Sequence, residues 1–150
     1  LLCLNAHSIA NKREKLEEIL LLYSPDITVI TKTWLHPDIH DSEVVPVAYS
    51  LLRTDCDGRG GGVALVIKNS ILFQKHQGIA DHESVWYTVN VHSMSVLIGG
   101  VYRRPNASVE YMMQLHDFLH TKVNARTMLI LTGDFNLAGI NWDNLSFGTR

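Results

Sequence analysis

The stretch Leu129-Ile130-Leu131-Thr132-Gly133-Asp134-Phe135-Asn136 decides how this chain is read. The β-prone apolar run from Met128 to Leu131 reads as a fully buried strand, and it stops at a glycine followed by an acid and an amide. If the backbone stays extended, Asp134 and Asn136 project to one side while Phe135 anchors the other. A carboxylate and an amide are then held together at a strand mouth. There the acid can orient a water or help hold a hard cation, and the amide can donate to a phosphate oxygen. The alternative is an Asx-rich turn after a core strand.

Upstream of this stretch, Ser108 can cap a helix in which Met112, Leu115, Leu119 and Val123 make the buried stripe. Ser84 to Val91 and Ser95 to Tyr102 are strand-like runs joined by a short polar connection, which predicts antiparallel pairing, and Tyr102-Arg103-Arg104-Pro105-Asn106 leaves the sheet. At the other end of the chain, Leu1 to Leu4 is a short apolar run that ends on Asn5, again an amide at a strand terminus. Ser8 can cap a helix from about Asn11 to Tyr23, where Leu16, Ile19, Leu20 and Tyr23 fall at the spacing of one helix face. Pro25-Asp26 stops it, and Ile27 to Thr31 reads as a second buried strand running into Lys32-Thr33-Trp34-Leu35. Strand, helix, strand is an α/β beginning.

From His36 to Tyr49 the chain reads as a polar surface loop. Leu51-Leu52-Arg53 starts another strand, and Asp57-Gly58-Arg59-Gly60-Gly61-Gly62 turns into Val63-Ala64-Leu65-Val66-Ile67, a hairpin signal. A phosphate cradle is the other use of such glycines, but a P-loop ends in Gly-Lys-Ser/Thr and opens a helix, whereas here a strand follows.

A chain of 150 residues with 46% hydrophobic residues and mean hydropathy +0.04 buries one good core and is too short for two ordinary domains. The net charge of -2 lacks the strongly basic balance of a dedicated nucleic-acid binder, so any such contact is local. Cys3 and Cys56 form no CxxC pair and no disulfide framework, which fits a reducing compartment. No window approaches the roughly 18 consecutive apolar residues of a membrane span, so a soluble domain is expected, without a membrane partner. His116 and His120 have the spacing of a zincin pair, but Asp117 stands where a Glu is needed and no third ligand is apparent; a solvated helix face is the better reading. The chain opens on Leu1 in mid-strand, as a piece of a longer polypeptide does.

Asn5-Ala6-His7-Ser8-Ile9, Pro25-Asp26-Ile27, Thr31-Lys32-Thr33-Trp34-Leu35, Gly60-Gly61-Gly62-Val63-Ala64, Val101-Tyr102-Arg103 and Gly133-Asp134-Phe135-Asn136-Leu137 stand in the order and spacing of one family. In these motifs the chain resembles the endonuclease domain of a LINE-type (non-LTR), Jockey-like retrotransposon. That domain is part of the endonuclease/exonuclease/phosphatase superfamily, with the apurinic endonucleases and DNase I. The resemblance covers essentially all 150 residues. It implies a four-layer α/β sandwich, two mixed β-sheets face to face with outer helices, here C-terminally truncated. Residues 1–150 then form one domain incomplete at its C-terminus.

The resemblance further implies that Asn5 belongs to the phosphate and metal pocket, Tyr102 contacts the scissile phosphate, Asp134 positions the attacking water, and Asn136 binds the phosphate. Mg²⁺ is the implied cofactor, with Asn5 and Asp134 as metal residues. DNA is the implied partner, with element RNA and a downstream reverse transcriptase domain beside it, inside the cell and at nuclear DNA. Three positions depart from the pattern. Lys32 stands where the family's glutamate ligand belongs, His7 where close relatives have arginine, and Arg104 where many have proline. The family's histidine, on a Ser-Asp-His motif, is expected beyond Arg150.

Lys32 is the serious departure. A carboxylate about 5 Å from Mg²⁺ attracts it by roughly 7 kcal/mol at an effective dielectric near 20, and an ammonium held there opposes binding by a similar amount. Lysine can instead swing its head to solvent, but the ligand is lost either way. Two functions follow from these residues. One is part of a Mg²⁺-dependent DNA endonuclease that nicks target DNA to prime reverse transcription. The other is a non-catalytic relic that at most binds DNA through Arg53, Arg59, Arg103 and Arg104. A phosphoesterase acting on lipid or nucleotide phosphates is a weaker third reading.

Overall fold

The computed structural model describes residues 1–57, 60–137, 139–141 and 146–147. Its elements in chain order are β1 (Leu2–Asn5), α1 (Arg13–Tyr23), β2 (Ile27–Thr31), β3 (Tyr49–Thr54), β4 (Val63–Lys68), β5 (Phe73–His76), β6 (Glu83–Val91), β7 (Met94–Tyr102), α2 (Glu110–Lys122) and β8 (Thr127–Asp134). A two-residue pair, β9 (Ile140–Asn141) with β10 (Ser146–Phe147), follows. The strands form two four-stranded sheets, ordered β1-β2-β4-β3 and β5-β6-β7-β8. Both are mixed: β1 runs parallel to β2 and β7 parallel to β8, while the remaining neighbours are antiparallel.

Period-two alternation builds the layers. Along β4, Val63, Leu65 and Ile67 point between the sheets, where they meet Val85, Tyr87 and Val89 of β6 and Val96 and Ile98 of β7. Ala64 and Val66 face the other way, onto Leu16 and Leu20 of α1. Trp86, Leu97 and Val101 leave the second sheet toward Tyr111 and Leu115 of α2. The order helix, sheet, sheet, helix is the four-layer sandwich that the resemblance implies.

Several local expectations shift. α1 begins at Arg13, and Ser8 does not cap it, because residues 6–9 stay paired to the exit of β2. Ala6 N–H donates to the Thr31 carbonyl at 2.9 Å, Ser8 to Lys32 at 2.8 Å and Ile9 to Thr33 at 3.0 Å. Leu16 and Leu20 are buried, whereas Tyr23 is exposed beside the left-handed Ser24 that ends the helix. In α2, Val109 rather than Ser108 precedes the first turn, and the buried stripe starts at Tyr111, leaving Met112 exposed. The loop between β2 and β3 is polar for most of its length, yet Val44 and Val45 are buried against the α1 layer. β5 has one apolar residue in Phe-Gln-Lys-His, so only its pairing with β6 reveals it.

The strand from Met128 to Leu131 is not fully buried. β8 pairs with β7 alone among the described residues, so Met128 and Leu129 are 48% and 36% exposed. Among the described residues no helix is long and apolar enough to cross a membrane.

Tyr87 lies fully buried between the sheets, and its hydroxyl has no hydrogen-bond partner among the described residues. Burial pushes the phenol well above its ordinary value near 10, and Tyr111 is pushed up to about 12 by burial and then by Glu83. The folded chain therefore keeps these protons while the unfolded chain loses them, and stability falls as pH rises above about 10. We expect Tyr87→Phe to stabilise the fold by about 1 kcal/mol, since it removes an unpaired hydroxyl, and to lose less stability between about pH 9 and pH 11. Urea unfolding midpoints at the two pH values measure both effects; a Phe variant that loses as much as the parent overturns this account.

Candidate active site

Parallel pairing sends like ends of strands the same way, and here it gathers polar residues at one mouth. In the first sheet Asn5 stands level with Thr31, at the ends of β1 and β2. In the second sheet Glu83, Tyr102 and Asp134 form one level row across β6, β7 and β8. The crossover through α2 makes β7 and β8 parallel and so brings Tyr102 beside Asp134.

Beyond β2 the chain is gripped from both sides. Lys32 and Thr33 give their carbonyls to Ser8 and Ile9, while Thr33 and Trp34 give their N–H groups to the carbonyls of Gly62 and Gly61 at 3.3 and 3.1 Å. These bonds hold Lys32 and Trp34 in the left-handed region, each at φ +55°, at a cost of about 1 kcal/mol or more per residue. The glycine turn between β3 and β4 is thus a hairpin loop, as the sequence predicts, and also a strap on the 32–34 segment. With its backbone fixed in this way, Lys32 is directed into the mouth. Its ammonium lies 2.9 Å from Asp134 Oδ2, with the two side chains 19% and 20% exposed, and 5.8 Å from the centre of the Tyr102 ring.

Asp134 is held just as firmly. Gly133 precedes it at φ +143°, and a β-carbon there would overlap the Val101 carbonyl, so only glycine lets β8 lie this close to β7. Asn5 Nδ2 donates to Asp134 Oδ2 at 3.2 Å. The Asn136 N–H donates to Oδ1, also at 3.2 Å, and the Asn136 side chain donates to the Arg103 carbonyl at 2.6 Å. The backbone does not stay extended, since Asn136 is left-handed at φ +47°. The two readings of this stretch merge: an Asx turn follows the strand, and the turn itself places the acid and the amide at the mouth. Arg103 bonds the carbonyls of Phe135, Asn136 and Ala107, so it staples this exit and does not serve as an open cation.

Burial pushes the Tyr102 phenol above its ordinary value near 10; Lys32 opposes the rise, and Asp134 and Glu83 add to it. Glu83 escaped the sequence reading. It is an 8%-exposed acid at the head of β6, bonded by the Gly62 N–H and by Arg104 Nε at 2.6 Å. Its signal was faint, a lone acid just ahead of an apolar run. Arg53 is removed from the surface cations: it is 15% exposed and pinned by Asp41, Asp55 and the Ile39 carbonyl. Arg59 lies outside the described residues. His116 and His120 sit on the exposed face of α2 with rings 4.4 Å apart.

The donor set does not suit a divalent cation while Lys32 is in place. Both oxygens of Asp134 already accept hydrogen bonds, one of them from an ammonium, and among the described residues no three His, Cys, Asp or Glu groups could share a metal.

Residues 2–150 match the Endonuclease/Exonuclease/phosphatase family. The chain belongs to that family. No curated protein matches it in sequence. Among solved structures it is similar to an AP endonuclease from Archaeoglobus fulgidus, with TM-score 0.69 and 17% identity, covering 91% of this chain and 57% of that one. It is also similar to the 3′ phosphatase NExo from Neisseria bound to a product DNA hairpin, with TM-score 0.67 and 19% identity over 93% and 58% of the two chains. A third is the endonuclease domain of TRAS1, a telomere-specific non-LTR retrotransposon, with TM-score 0.61, 14% identity and coverage of 85% and 53%. At these identities the likeness is one of fold, and this chain spans just over half the length of each neighbour.

Replacing Lys32 by glutamate turns the ion pair into two facing carboxylates. Without divalent ions we expect Lys32→Glu to melt about 3–8 °C lower, the equivalent of about 1–2 kcal/mol, and millimolar Mg²⁺ to reverse most of the loss while leaving the parent unchanged. Thermal unfolding with and without EDTA tests this. A variant indifferent to Mg²⁺ shows that residue 32 and Asp134 cannot share a cation.

Proposed function

We propose that this chain belongs to a retrotransposon-encoded DNA endonuclease, of the kind that uses Mg²⁺ to nick nuclear target DNA and so primes reverse transcription, and that this copy is impaired. Element RNA and a reverse transcriptase domain are the further partners of that reading. Support for the lineage comes from the sequence motifs, from family membership over residues 2–150 and from the likeness to the TRAS1 endonuclease domain. The observation that carries the impairment is the 2.9 Å contact between Lys32 and Asp134. An acid that orients water needs a free oxygen, and this acid is neutralised by a tethered ammonium.

The same contact favours a second reading, DNA binding without catalysis. In place of a metal ion, the mouth carries its own cation, which can leave Asp134 to pair with a phosphate. A protonated Tyr102 and the Asn5 amide lie beside it to donate hydrogen bonds.

With Mg²⁺ present, we expect the chain not to nick supercoiled plasmid above background. Robust nicking that disappears in Asp134→Ala overturns the impairment. For binding, Lys32→Ala is expected to lower affinity for duplex DNA and to reduce the slope of log K against log salt by about one. Fluorescence anisotropy over a salt series reads both, and an unchanged slope removes Lys32 from the phosphate site.

A further inference from the structure

Two ion pairs flank Tyr102, and the proposed function uses only one. On the far side from Lys32 and Asp134, Glu83 stands level with Tyr102 in the sheet register. One of its carboxylate oxygens takes the Gly62 N–H and the other takes Arg104 Nε. A β-carbon on Gly61 would collide with this carboxylate, so the turn is shaped to let a buried acid approach the backbone. Buried acids are costly without partners, and here every partner serves to fix Glu83. Arg104 is different. Its side chain is 58% exposed, and among the described residues Nε is the one guanidinium nitrogen with a protein partner. The remaining two nitrogens carry four donor hydrogens. Arg104 itself lies on the wall of a cleft of about 990 Å³ and of a neighbouring one of about 310 Å³. Tyr102 and Asn106 line both clefts with it.

We propose that Arg104 is a phosphodiester-binding residue for duplex DNA, held in a fixed orientation by Glu83, and that it binds a backbone phosphate neighbouring the one at Lys32 and Asp134. The assignment rests on the DNA-binding reading above. A guanidinium tied at Nε presents its outer nitrogens as a ready fork, and such a fork matches two phosphate oxygens at once. Because Glu83 also holds the Gly62 N–H, the fork is fixed to the same glycine turn that straps residues 32–34. One turn thereby sets the spacing between the two cationic groups. Glu83 is a positioning residue; Arg104 makes the contact.

The alternative is a structural ion pair in which Glu83 merely neutralises Arg104. The two make opposite demands on Glu83→Gln, which raises the net charge by one. Removing a neutralising acid strengthens DNA binding, whereas removing a positioning acid weakens it. We expect Glu83→Gln to weaken duplex binding by about fivefold despite the added charge. We expect Arg104→Lys to do the same with a salt slope reduced by about one, since a single ammonium pairs with Glu83 and leaves no fork for phosphate. The measurement is anisotropy of a labelled duplex against the 150-residue chain and its variants over a salt series, with thermal midpoints as the folding control. Tighter binding by Glu83→Gln, or parental binding by Arg104→Lys, overturns the assignment. If Glu83→Gln fails to fold, Arg104→Lys decides alone. Weakened binding in Lys32→Ala together with parental binding in Arg104→Lys sinks this inference and spares the proposed function. No duplex binding by the parent at low salt sinks both.

Discussion

Everything in this molecule depends on the dry contact between its two sheets. Val29, Leu65 and Ile67 on one side and Tyr87, Val89 and Ile98 on the other exclude water over the centre of the domain, each fully buried side chain worth roughly 1.5–3 kcal/mol. That contact fixes how the sheets face each other, and a fixed facing determines which strand ends meet. Asn5 and the exit of β2 come from one sheet and Tyr102 and Asp134 from the other, so the polar mouth exists only because the apolar interface holds.

The strands and helices were legible in the sequence because apolar runs and helix-face spacing are local signals, whereas the four layers followed from the resemblance of the motifs. Val63 to Ile67 and Ser84 to Val91 read as strands from their β-prone apolar residues, and the helices show their faces within about a residue. What failed locally failed for tertiary reasons. Ser8 has the chemistry of a cap but is drawn into a backbone ladder with Lys32. Met128 and Leu129 have the composition of a central strand, but β8 has a neighbour on one side only among the described residues. At the site, Asn5, Tyr102, Asp134 and Asn136 were named by the resemblance, and the structure brings the four together at the mouth. Glu83 was missed because its partners, Gly62 and Arg104, are each 21 residues away in sequence. The placement of Lys32 was equally illegible, since main-chain bonds to residues 8, 9, 61 and 62 set the backbone that presents it.

The electrostatics of the mouth differ in kind from those of a site that takes up an ion from solution. A dissolved cation exchanges and leaves the acid free between visits, whereas a covalently tethered ammonium has a high local concentration and never diffuses away. Lys32 and Asp134 therefore neutralise one another as part of the fold. Asn5 and the Asn136 N–H complete the acceptor shell of the acid, so the arrangement satisfies the polar groups it buries.

The grip on residues 32–34 has a genetic consequence. Four main-chain hydrogen bonds hold this segment, and none of them involves the side chain at position 32, so the backbone delivers whatever residue is encoded there into the mouth. Lysine and glutamate codons differ in their first base alone. A single transition therefore reverses the sign of the charge facing Asp134 while leaving the scaffold that presents it intact, and the charge at the mouth can change faster than the fold around it.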